Sequence, residues 1–204
     1  MENRILREFI LRSVGEDLGD GDHSSLACIP WEAIGKANLL IKEEGVLAGV
    51  NVARETFLAI DKDLICEIHM EDGSVVKQGD IPFNISGRQQ SILKSERLVL
   101  NIMQRMSGIA TSTNQYVTRV KGLKAKILDT RKTTPGLRFL EKEAVRIGGG
   151  LNHRMGLFDM IMLKDNHIIY AGGIEKAIEK TSDYLKKNSR KLKIEIEEGN
   201  LDDV

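Results

Sequence analysis

The sequence has no net charge, almost no cysteine and no long apolar run, and each shortage removes a class of function. Thirty basic and thirty acidic residues cancel over 204 positions. No global field therefore draws the chain toward nucleic acid or an anionic membrane, and any anion site must be built locally. The two cysteines, Cys28 and Cys66, stand apart without the close spacing of metal-binding pairs. They read as reduced thiols of a cytosolic protein. No apolar stretch approaches the ~20 residues that a membrane-spanning helix needs. The N-terminus, MENRILREFILR, interleaves charged and apolar residues at helical spacing and lacks the apolar core of a secretory signal. The expectation is a soluble, cytoplasmic protein with neither nucleic acid nor membrane as partner, long enough for one large domain or two small ones.

What is present has two rhythms. The first half mixes helix and strand. Ile5, Leu6, Phe9, Ile10 and Val14 predict an amphipathic opening helix. GDGDHSS is a turn cluster in which Asp20, Asp22 and His23 serve turns and caps rather than a metal. Residues 35–50 read as a hairpin turning at Glu43 to Gly45, and Val50 to Ile60 as a helix. Asp72-Gly73 and Gly79-Asp80 then punctuate short strands. A long helical region follows from Gln89 to Lys121, with a kink or break expected at Ser107-Gly108. In the second half, strand candidates at Ala125–Asp129, Met160–Lys164 and Lys193–Glu197 alternate with helices at Leu137–Ile147 and Gly173–Lys187. That alternation suits βα units of a parallel barrel, whose chemistry lies at the C-terminal ends of strands. Arg131 and Lys132 follow the first strand, Lys164 ends the second and Glu197 ends the third.

The segment from Asp129 to His167 gathers Arg131, Lys132, Arg138, Arg146, His153, Arg154, Lys164 and His167 around a Thr-Thr-Pro-Gly turn and a Gly-Gly-Gly run. Arg presents a planar fork suited to carboxylate and phosphate, while Lys and His add a point charge and a titratable donor. The glycine run follows a helix, so it reads as a C-cap and a point of close backbone approach. Asp129 reads as a residue that caps or orients the Arg131 loop.

These strings, together with EDLGDGDHSS, LLIKEEGVLAG, SERLVLNIMQRMSGIAT, DTRKTTPG, GGGLNHRMGL, LKDNH and IEIEEGNL, resemble the signature of the quinolinate phosphoribosyltransferases over essentially the whole chain. The resemblance implies an α/β protein: a hammerhead-like α+β domain with a long helical region over residues 1–112, then a phosphoribosyltransferase-type α/β barrel over 113–204. Only the first three βα units of that barrel are expected here. Lys77 is not in the local motif of a carrier domain, so the hammerhead is read as structural. Family members extend beyond Val204 with further strands, a second metal-associated carboxylate and phosphate loops. The chain is accordingly expected to be C-terminally truncated and inactive by itself.

The family's reaction, part of NAD biosynthesis, joins quinolinate to phosphoribosyl pyrophosphate, used with Mg2+, and releases pyrophosphate and CO2 to leave nicotinate mononucleotide. The resemblance assigns Arg131, Arg154 and Lys164 to the quinolinate carboxylates, with His153 beside them and Thr130 positioning the acid. Lys132 faces the donor's phosphates. Glu197, favoured over Glu195, holds ribose hydroxyls or a metal-bound water; no direct protein ligand to the metal is assigned. Asp165, Asn166 and His167 read as residues that position Lys164, with His167 equally readable as a hydrogen-bonded structural histidine. Arg97, on the first-half helix, would reach the neighbour's site in a dimer or higher oligomer. The alternatives are a phosphoribosyltransferase for another aromatic acid, and a non-catalytic fragment that dimerises.

Overall fold

Apolar residues set at helical spacing make the first element. The computed structural model describes residues 3–197 and 199, and opens with helix α1 (Asn3–Leu18). Leu6, Phe9 and Ile10 are buried along its inner face and Val14 is partly covered, the stripe of an amphipathic helix. Asp22 then caps the short helix α2 (His23–Cys28), its carboxylate accepting the Ser25 N–H at 3.1 Å. The GDGDHSS reading as a turn and cap holds.

The chain divides into two compact units. One comprises the residues up to Asp129 with Thr133–Asn152; the other comprises Thr130–Lys132 and the residues from His153 onward. This grouping differs from the split between residues 112 and 113 expected from the sequence.

In the first unit, β1 (Ile34–Asn38), β2 (Gly45–Val46), helix α3 (Val50–Ile60), β3 (Ile65–Ile68), β4 (Val75–Val76) and β5 (Phe83–Arg88) lead into the 31-residue helix α4 (Gln89–Arg119). Helix α5 (Arg138–Ile147) packs on α4, which is why it groups with the N-terminal elements. β5 lies between β1 and β3, antiparallel to both, and β2 pairs with β4. The expected 35–50 hairpin does not form. Leu39 and Ile41 instead donate to the carbonyls of Phe83 and Asp80, while Val46 and Ala48 donate to Thr111 Oγ1 and Ser107 Oγ on α4, each at 2.9 Å. A Cβ at Gly45 would stand 2.5 Å from Thr111 Oγ1, so that approach requires glycine. Of the kink or break expected at Ser107-Gly108, no break occurs: α4 runs through, and the Ser107 hydroxyl bonds the backbone of Ala48.

The strand expected at Ala125–Asp129 reduces to a single parallel bridge, Leu128 to Leu151. Its ladder is Asp129 N–H to the Leu151 carbonyl at 3.1 Å and Leu151 N–H to the Ile127 carbonyl at 2.9 Å. The glycine run behaves as read. Gly148 caps α5, Gly149 takes φ +92°, and a Cβ on Gly148 would meet the Ala110 carbonyl of α4 at 2.4 Å.

In the second unit, β6 (Ile161–Leu163) and β7 (Ile194–Ile196) are parallel neighbours joined through α6 (Asp165–Ala171) and α7 (Ile174–Lys187). Helix α6 was not anticipated; Gly172, at φ +93°, ends it in the left-handed conformation before α7 begins. Among the described residues the barrel is not closed.

Candidate active site

The end of β6 delivers Lys164, exposed, to the C-terminal side of the strand pair. Its ammonium donates to Glu197 Oε2 at 2.5 Å, and Glu197, just past β7, is held by its own N–H donating to the Leu163 carbonyl at 2.9 Å. Two residues earlier, Glu195 accepts from His153 Nε2 at 2.9 Å. A carboxylate can only accept, so Nε2 carries the proton. Both glutamates therefore meet a cationic or titratable partner, as the strand's period of two demands. The pairing of Glu195 with His153 was not legible in the sequence.

Thr130, Arg131 and Lys132 belong to the same unit. Thr130 Oγ1 accepts the Lys132 N–H at 3.1 Å, a hydroxyl turn that leaves Arg131 half-buried and Lys132 exposed. Asp159 closes the loop that carries Arg154, accepting the Met155 and Gly156 N–H groups at 2.7 and 2.8 Å. Arg154 itself is 7% exposed, and among the described residues its guanidinium reaches only the Met160 carbonyl and the Met162 sulfur, each at 3.4 Å. A buried guanidinium with no carboxylate beside it is costly, and a ligand carboxylate is the group that would offset the cost. Within this unit Lys164 meets Glu197 and His153 meets Glu195, while Arg154 has no carboxylate partner among the described residues.

Residues 22–107 match the family model described as quinolinate phosphoribosyl transferase, N-terminal domain, and residues 109–204 match its C-terminal domain. The chain belongs to this family. It is 44% identical over 200 residues to quinolinate phosphoribosyltransferase [decarboxylating] 2b, mitochondrial, of Nicotiana tabacum, covering 98% of this chain and 56% of that one. It is also 44% identical over 177 residues to the probable nicotinate-nucleotide pyrophosphorylase [carboxylating] of Bacillus subtilis strain 168, covering 87% of this chain and 60% of that one. Among solved structures, NadC from Streptococcus pyogenes superposes with a TM-score of 0.93 at 37% identity, covering all of this chain and 71% of that one. The chain thus spans a little over half the length of the curated relatives it matches.

Of the remaining residues singled out by the family motifs, Arg97 belongs to the first unit. It is exposed on α4 and lines a cleft with Arg12, Glu16, Asn101 and Arg105. Arg138 and Arg146 do local work: Arg138 Nε donates to Thr133 Oγ1 at 3.0 Å, and Arg146 pairs with Glu143 one turn back on α5. That pairing holds the Glu143 carboxyl below its ordinary range. His167 Nδ1 accepts the Lys164 N–H at 3.0 Å and so holds the start of α6, a hydrogen-bonded histidine on the backbone of Lys164. The Asn200-Leu201 end of the IEIEEGNL motif lies outside the described residues. Sequence reasoning missed Lys142, which sits 1% exposed on α5 and ion-pairs with Asp129.

Proposed function

We propose that this chain carries the quinolinate-binding half of a quinolinate phosphoribosyltransferase, acting with phosphoribosyl pyrophosphate to give nicotinate mononucleotide, pyrophosphate and CO2. The observation that carries the reading is Arg154, a buried guanidinium without a carboxylate partner among the described residues, in a unit that also holds Arg131 and Lys164. Arginine forks bind carboxylates through paired, charge-assisted hydrogen bonds. An aromatic diacid such as quinolinate offers two such groups, and a monoacid such as nicotinate offers one.

In this reading Arg154 and Arg131 hold the two carboxylates, Thr130 and His153 orient the ring, and Lys164 completes the charge balance. Exchange of the Lys164–Glu197 pair with substrate would free Glu197 to face the sugar, where a carboxylate stabilises positive charge developing on the ring. Lys132, exposed and turned out by Thr130, meets the donor's phosphates. Among the described residues no three acidic, histidine or cysteine groups converge. Mg2+ would therefore arrive on the donor, with Glu197 near it; one carboxylate plus phosphate and water oxygens is a set that Mg2+ accepts. When bound, the ion neutralises the leaving pyrophosphate. The same reading has the enzyme work as a cytoplasmic homodimer in which Arg97 serves the partner's site.

Calorimetric titration of the chain with quinolinate and with nicotinate tests the assignment. Quinolinate should bind at least ~10-fold tighter, which corresponds to about 1.4 kcal/mol. Equal affinities would sink the assignment to a diacid.

A further inference from the structure

Lys142 is the least expected residue of the first unit. It lies on α5 in the string Glu141-Lys142-Glu143, which reads as a solvated charged face, yet its side chain is 1% exposed. Its ammonium meets the carboxylate of Asp129, itself only 7% exposed. Asn152, with its amide nitrogen turned inward, donates to the other Asp129 oxygen at 2.7 Å and to the Lys142 carbonyl at 2.8 Å. Beside this polar knot the backbone is tied as well, through Asp129 N–H to the Leu151 carbonyl and Leu151 N–H to the Ile127 carbonyl.

The chain positions give the knot its meaning. Asp129 is followed directly by Thr130, Arg131 and Lys132, and Asn152 directly by His153 and Arg154. Lys142 thus grips the two places where the chain leaves the first unit for the segments that carry the site's cations. A buried ion pair adds little to stability compared with a well-packed apolar pair, but it enforces one geometry, because any other arrangement leaves a buried charge unmatched. The fixed spacing matters here, since misplacing binding groups by about 1 Å can cost ~10²-fold in rate.

We infer that Lys142 is a positioning residue: through Asp129 and Asn152 it sets the spacing at which the Thr130–Lys132 and His153–Arg154 segments leave the first unit. It acts through these neighbours and touches no substrate. For its effect on ligand binding the inference rests on the quinolinate reading; the clamp itself does not.

The experiment uses the whole chain with Lys142→Met, with Lys142→Met/Asp129→Leu, which removes both charges, and with Asn152→Ala, which leaves the ion pair in place. Amide exchange at Asp129 and Leu151 is read by NMR, alongside thermal melting and titration with quinolinate. Exchange at these two amides should rise ~10-fold or more in every variant, while the amides of α4 stay protected in the double variant. The double variant should melt above Lys142→Met, since the two facing charges are removed together, and yet bind quinolinate ~10-fold or more weakly than wild type. A double variant that regains both protection and affinity would reduce Lys142 to a fold-keeping role and overturn the inference. Unchanged exchange at Asp129 and Leu151 in Asn152→Ala and the double variant would also overturn it, even if Lys142→Met fails to fold. If the wild-type chain binds no quinolinate, the functional reading fails while the exchange data still decide the clamp.

Discussion

Arg154 offers a perturbation in which fold and function should move in opposite directions. A guanidinium taken out of water loses several kcal/mol of hydration, and it is compensated in the fold only by pairing and hydrogen bonds. Here the compensation is a carbonyl and a thioether, both at 3.4 Å. A hydrogen bond from a charged donor returns about 1.5–3 kcal/mol at good geometry, and these are long. Keeping Arg154 in the unliganded fold is thus a net cost of about 1–2 kcal/mol. Arg154→Met removes the charge and fills most of the space. For a chain of this size 1 kcal/mol shifts the melting temperature by ~2–4 °C. The variant should therefore melt ~2–8 °C above wild type. The same change deletes a bidentate carboxylate contact, worth at least ~2 kcal/mol, so quinolinate affinity should fall ~30-fold or more. Arg154→Lys should fall between them in affinity, keeping the charge and losing the fork. Differential scanning calorimetry and titration calorimetry on the same samples give both quantities. If Arg154→Met melts well below wild type and still binds quinolinate normally, then Arg154 serves the fold and the argument for an anion site collapses.

The other expectations are independent of that one. The Asp61 carboxylate accepts Arg88 Nε at 2.9 Å and the Ser91 hydroxyl at 2.7 Å, and these contacts, the Arg88 bond first, hold its pKa at about 2 instead of 3.8. The folded-state pKa is depressed, so this stability is present above the unfolded value and lost as pH falls from ~4 toward ~2. It amounts to about 2 kcal/mol at 1.36 kcal/mol per unit. Asp61→Asn should flatten the acid limb of melting temperature against pH, and an unaltered limb would remove Asp61 from that transition. For Arg97, co-refolding equal amounts of Arg97→Ala and Arg131→Ala chains should restore quinolinate binding to about a quarter of wild-type sites. Half of randomly formed dimers are mixed, and each mixed dimer holds one intact pocket. No recovery in verified mixed dimers would rule out a site shared between chains.

What the sequence reveals and conceals follows from the range of the interactions involved. Helices α1, α3 and α5 were legible because their apolar stripes and ends are written within single turns: Leu6, Phe9 and Ile10 declare the inner face of α1, and Gly148 with Gly149 declares the end of α5. Strand partners are a different matter. Alternation at Ala37, Leu39 and Ile41 announces extended backbone, but only the fold reveals that its partner is β5 and not the chain across the Gly45 turn. The Ala125–Asp129 strand failed for the same reason, since nothing local says that its bridge will be to Leu151. Among the site residues, family motifs marked Arg131, Arg154, Lys164 and Glu197, and strand parity put Glu195 beside Glu197. The His153 contact that occupies Glu195 spans 42 positions of sequence. Lys142 was invisible, because a lysine between two glutamates carries no sign of burial and its partner lies 13 residues away.

Helix α4 has a consequence for how the molecule comes apart. It contributes Ile102, Met106 and Ala110 to one apolar cluster of the first unit, and Ile92, Val99 and Met103 to the other. Neither cluster can be dismantled while the other keeps the helix, so the two are coupled into a single cooperative block. The second unit has no such spine; its buried apolar residues among those described are Leu163 and Ala177. Cooperative blocks open at free energies set by what they bury. On heating, the strand pair that carries Lys164 and Glu197 should therefore yield before the block around α4. Binding competence would then disappear at a temperature where most of the helix signal survives, and a ligand that ties Arg154 and Lys164 together would raise the lower transition alone.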